Sequence, residues 1–152
     1  SKCRKNPHEA GEVEVTASSM YSSTSKPEAV LDWGTKTFWQ SQEQPDQWLM
    51  IDLKNRSIAV SQIGILRTGS FFAKKWELLG SNDGNEWESV FRSDTNVCLR
   101  GSFLNDMVLV QVGSSKAYSK FKFVSLAANY KQTKSFGFSA VEFFGTANED
   151  IN

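Results

Sequence analysis

Side chains able to do acid–base or nucleophilic chemistry are scarce in this sequence. Its one histidine is His8, beside Pro7 in a polar N-terminal stretch, so neither a His general base nor a multi-His metal site can be assembled. No Gly-x-Ser-x-Gly elbow, phosphate-cradling glycine loop, dinucleotide fingerprint or His-Glu-x-x-His helix occurs. Carboxylates remain, and Asp52 with Glu142 is the pair to weigh. Carboxylates on strands are ordinarily solvated or salt-bridged, and nothing in the sequence brings these two together. The expectation is a domain that is not an enzyme. Cys3 and Cys98 fit neither a dense disulfide framework nor metal-ligand spacing and read as free thiols. Asn55-Arg56-Ser57 is a glycosylation sequon that matters only in a secreted chain.

Aromatic side chains are the other candidates, with five Trp and eleven Phe. They could stack sugars or bases, but most fall where a sandwich core needs volume: Trp39, Trp48, Trp76 and Trp87 lie at strand starts or within strands and are expected to fill it. Trp33 and the adjacent Phe71-Phe72 differ, because neighbours on an extended chain point to opposite sides and cannot both enter one core. With Lys74 and Lys75 following, an exposed Phe suits a partner groove or an anionic membrane surface; the alternative is a loop folded back on itself.

The elements that must position these residues are strands. Apolar residues recur at period two or in short runs bounded by Gly, Ser, Asn and Asp. The pattern predicts strands over Glu12–Ala17, Trp48–Leu53, Val60–Arg67, Trp76–Ser81, Trp87–Arg92, Met107–Val112, Phe121–Ala127 and Phe138–Phe144, with no helix longer than a turn or two. Leu49, Ile51 and Leu53 alternate with Met50 and Asp52, and Phe121 and Phe123 with Lys120 and Lys122, so one face of each strand is apolar. Ser81-Asn82-Asp83-Gly84-Asn85 supplies a hairpin turn. With 152 residues the chain forms one domain: a linker over 1–11, a sandwich over 12–147 and a tail over 148–152. Lys plus Arg and Asp plus Glu both total 17, so no overall field or basic stripe recruits nucleic acid. No run approaches the roughly 20 apolar residues of a membrane span.

Read in order, Val15-Thr16-Ala17-Ser18-Ser19, Pro27-Glu28-Ala29-Val30-Leu31-Asp32, Thr37-Phe38-Trp39, Gln47 through Leu53, Gly80 through Trp87, and Val141-Glu142-Phe143-Phe144-Gly145 form successive blocks. Over about residues 12 to 146 the chain resembles the discoidin, or coagulation-factor C, domain of the galactose-binding-like superfamily. The resemblance implies an all-β, eight-stranded antiparallel jelly-roll sandwich that takes ligands on loops at one end. By order along the chain those loops are Ser18 to Lys26, Gln40 to Gln47, Thr68 to Lys75 and Asn129 to Phe136. They and the adjoining turn carry the candidate ligand-binding residues: Met20, Tyr21, Trp33, Gln42, Gln44, Phe71, Phe72, Lys74, Asn129, Tyr130 and Lys131.

Two departures from the family pattern shape the expectations. Extracellular members join a Cys near the start to one just after the final Phe-Gly; here that position is Thr146, which leans toward an intracellular member. Many sugar-binding members hold a structural calcium with an Asp, a Thr and a Glu. Asp32 and Thr37 match by spacing, but Trp33 replaces the turn glycine and Ala140 stands where the Glu aligns, so calcium affinity should be weak or absent and no other cofactor is implied. The first expectation is a non-catalytic recognition module that docks a protein partner through the loop end. The alternative is a carbohydrate-binding module, with Tyr21, Trp33 and Tyr130 stacking a sugar, and a further one is anionic phospholipid binding through Phe71 or Phe72 with Lys74 and Lys75.

Overall fold

The computed structural model describes residues 6–8, 10–32, 37–66, 75–93, 108–113, 116–127 and 134–149. The strands are β1 (Glu14–Ala17), β2 (Trp39–Gln40), β3 (Trp48–Asp52), β4 (Arg56–Leu66), β5 (Trp76–Ser81), β6 (Glu88–Ser93), β7 (Val108–Gln111), β8 (Ala117–Tyr118), β9 (Lys120–Ser125), β10 (Gly137–Phe138) and β11 (Ala140–Glu149). A short 3-10 helix, Pro27–Leu31, lies between β1 and β2. Each of the eight strands expected from periodicity has its counterpart. The three two-residue strands do not register as a pattern, because two residues carry no period.

One large sheet has the order β1-β3-β9-β5-β6, the other β11-β4-β7 with β8 also paired to β4, and β10 and β2 form a separate two-stranded sheet. All pairings are antiparallel. Period-two alternation sends Val15, Leu49, Ile51, Phe121, Phe123, Trp76 and Leu78 inward from the first sheet, against Val60, Ile63, Ile65, Val110 and Val141 from the second. An aromatic chain runs through this core. Trp39 meets Phe138 edge-on at 5.8 Å, Phe138 meets Phe123 at 5.3 Å, and Phe123 meets Trp76 at 6.0 Å. These rings are thereby committed to packing, where each large side chain contributes about 1.5–3 kcal/mol by leaving water.

Trp48 and Trp87 depart from the core role expected for them. Leu49 and Ile51 point inward from β3, so Trp48 must face outward, and both tryptophans are half-buried. The Lys122 ammonium lies over them, 5.5 Å from the Trp48 ring centre and 4.2 Å from that of Trp87. Burial among these groups lowers the Lys122 pKa.

Described residues near both ends make defined contacts with the sandwich. β11 runs past residue 147, pairing Asn148 with Ser57 and Glu149 with Arg56. Asn6 is buried, and the His8 ring accepts the Val15 backbone N–H at Nδ1, at 3.1 Å.

Candidate functional site: the loop end of the sandwich

β1 ends, β3 starts, β9 ends and β11 starts at the same end of the sandwich, which gathers the segments after residue 17, before residue 48 and around residues 125–139. A polar frame centred on the buried Gln47 joins them. Ser18 extends the β1 ladder by donating its N–H to the Trp48 carbonyl at 2.9 Å, and its hydroxyl accepts the Trp48 N–H at 2.9 Å. Both the Ser18 hydroxyl, at 2.9 Å, and the Ser19 hydroxyl donate to the side-chain oxygen of Gln47, which uses both lone pairs of that one atom. The Gln47 amide nitrogen donates to the Pro45 carbonyl at 3.2 Å, and Gln47 is only 5% exposed. Ser19 Oγ also accepts the Gln42 N–H at 2.9 Å.

A second set of bonds ties the 40–42 segment to 135–136. Ser41 donates its N–H to the Phe136 carbonyl at 2.8 Å and its Oγ accepts the Phe136 N–H at 2.9 Å; Ser135 Oγ donates to the Ser41 carbonyl at 2.8 Å. β2 and β10 pair antiparallel here, and a Cβ at Gly137 would strike the Trp39 carbonyl oxygen, so only glycine permits the approach.

On this frame Met20 is 41% and Tyr21 58% exposed. The Tyr21 N–H is held by the Gln40 carbonyl at 2.7 Å. Tyr21, Gln42, Glu43 and Gln44 line one open depression. Pro45, Asp46, Ser125, Leu126, Ala127 and Lys134 line a second on the other flank of the same loop, which turns through Asp46 at φ 58°. The first pairs an aromatic face with two amides and a carboxylate, a combination that can stack on an apolar ring face and hydrogen-bond hydroxyls. The groups whose titration is displaced, Asp83, Glu88, Lys116, Tyr118 and Lys122, line neither depression.

The acid–base pair weighed from sequence does not form: Asp52 lies on β3 in the first sheet, 3.5 Å from Lys120 Nζ, while Glu142 is on β11 in the second. Of the residues weighed for calcium, two have described surroundings that can be named. The Asp32 carboxylate accepts the Asn6 side-chain amide, and Ala140 is wholly buried without a side-chain oxygen. Among the described residues no group of three or more His, Cys, Asp or Glu could hold a metal.

Comparison with known proteins decides the family. The model of the F5/8 type C domain matches residues 14–135. This chain belongs to the F5/8 type C domain family. A comparison with curated proteins returned no match. Among solved structures, this F5/8 type C domain is similar to CpGH89CBM32-5 from Clostridium perfringens, in complex with GalNAc-β-1,3-galactose. The TM-score is 0.71 at 16% identity, covering 89% of this chain and 96% of that one. It is also similar to the family 32 CBM from C. perfringens NanJ in complex with galactose (TM-score 0.68, 17% identity, 91% and 95% covered). A third is chitosan-binding module 1 from a Paenibacillus sp. IK-5 chitosanase/glucanase (TM-score 0.68, 16% identity, 88% and 96% covered). These likenesses establish the β-sandwich fold of the F5/8 type C domain.

Of the candidate ligand-binding residues, Tyr21, Gln42 and Gln44 line one depression, and Met20 is the exposed neighbour of Tyr21 in sequence. Trp33, Phe71, Phe72, Lys74, Asn129, Tyr130 and Lys131 lie outside the described residues. Sequence reasoning passed over Glu43, which lines the same depression, and the Ser18-Ser19-Gln47 clamp beneath it. Three small or uncharged polar residues look like ordinary loop composition until a fold brings residues 18, 19 and 47 into contact.

Proposed function

We propose that this F5/8 type C domain is a non-catalytic carbohydrate-binding module that takes a sugar on the depression beside Tyr21. The observation that carries the reading is the exposed Tyr21 ring next to the Gln42 and Gln44 amides, on loops whose backbone is already fixed by buried hydrogen bonds. A preorganised site loses little entropy on binding, which suits small, polar, weakly held ligands such as sugars. The tyrosine would stack on the apolar face of a pyranose while the amides and Glu43 address its hydroxyls. Support also comes from the sandwiches of the same fold solved with galactose or GalNAc-β-1,3-galactose. The protein-docking role expected first has no comparable observation in its favour. Calorimetric titration with galactose tests the proposal: saturable binding by the wild type that Tyr21→Ala weakens about tenfold, a loss of about 1.4 kcal/mol, supports it. Equal heats for wild type and variant would place the sugar elsewhere.

A further inference from the structure

We infer that the Asn6 side-chain amide does in this chain the cross-linking that family resemblance assigns to calcium, closing the end of the 3-10 helix without a metal. Asn6 is 5% exposed. Its NH2 group donates to the Glu28 backbone carbonyl at 2.8 Å and to the Asp32 carboxylate, and its side-chain oxygen accepts the His8 N–H at 2.8 Å. A carbonyl and a carboxylate are the hard oxygens a calcium ion gathers, but the ion needs six or more. Here the two amide hydrogens satisfy both.

The helix needs such a brace. Pro27–Leu31 is five residues long, has no side-chain hydrogen bond at its N-cap, and packs against β1, β2 and β11. His8 reinforces the join. Its Nδ1 accepts the Val15 N–H, which puts the neutral ring's proton on Nε2, 3.7 Å from the Glu28 carboxylate. Residues 6–8 therefore staple the start of β1 to both ends of the helix, and Asp32, the one carboxylate the family pattern offers to calcium here, is already engaged. The brace is independent of which ligand the loop end takes.

Thermal unfolding of the 152-residue chain, in chelator and in millimolar calcium, tests this. The wild-type midpoints should coincide. Asn6→Asp keeps the size and the contact to His8 but sets an oxygen where the donating nitrogen faced Asp32. Its midpoint should fall by about 3–10 °C, as should that of Asn6→Ala, since charge-assisted bonds contribute more than neutral ones. A wild-type midpoint raised several degrees by calcium, or an Asn6→Asp protein that melts with the wild type, would overturn the inference.

Discussion

The Trp39 indole N–H donates to the Ser19 carbonyl at 3.0 Å, so a ring packed wholly within the core fixes the backbone directly before Met20 and Tyr21. Core packing and the exposed loop are joined at that bond. Trp39→Phe retains a core aromatic but removes the donor. It should cost about 2–4 kcal/mol of stability from the smaller ring and the lost bond, and should also weaken galactose binding. Leu78→Ala, a core change on β5, should destabilise by a similar amount and leave affinity unchanged; paired calorimetric titrations separate the two effects.

Gln47 is the hub of the clamp beneath the site. Gln47→Leu leaves the half-buried Ser18 and Ser19 hydroxyls without their shared acceptor, at a cost of about 1 kcal/mol, since Ser18 Oγ still faces the Trp48 carbonyl at 3.3 Å. Amide hydrogen exchange should accelerate first at Gln42, whose N–H rests on Ser19 Oγ, ahead of β9 and β5 in the sheet centre. Unchanged protection at Gln42 would mean that the clamp does not hold the loop.

On β3, adjacent residues should respond in opposite fashion. Leu49→Ala removes a fully buried side chain and should lower stability by about 2–5 kcal/mol. Trp48→Ala strips a half-buried ring from the outer face beside Lys122 and should cost about 1–2 kcal/mol. Urea midpoints at equal m-value give the comparison.

That contrast marks where the sequence was legible. Leu49 and Ile51 announce the inward face of β3 by alternation alone, and such runs locate the longer strands, though not the two-residue β2, β8 and β10. Trp48, one residue away, has the volume of a core residue, but the same alternation points it outward, and period outweighs volume there. Tyr21 and Gln42 could be placed on the ligand end only through resemblance to a family, since loop residues carry no period. Asn6 and Gln47 were not recoverable at all, because their roles rest on contacts across tens of residues that exist only once the sandwich has closed.

The hairpin turn between β5 and β6 carries a pH signature. Backbone N–H groups of Glu86 and Asn85 hold the Asp83 carboxyl below its ordinary pKa of 3.8, with the Ser81 hydroxyl adding to the effect. A carboxylate held low in the folded state stabilises above the unfolded pKa, and that contribution is lost as pH falls through the folded value. Asp83→Ala should therefore be less stable than the wild type at neutral pH, and the gap should narrow in acid below about pH 3.8. A gap that does not depend on pH would point to turn geometry alone.

The proposed sugar site lies at the loop end of the sandwich. Amide chemical shifts of the labelled domain, followed during titration with GalNAc-β-1,3-galactose, test it most directly. The expected result is a saturable set of shifts confined to Met20, Tyr21 and residues 42–44, and absent in Tyr21→Ala. No shifts at high sugar concentration, or shifts centred on the outer face around Trp48 and Trp87, would contradict it.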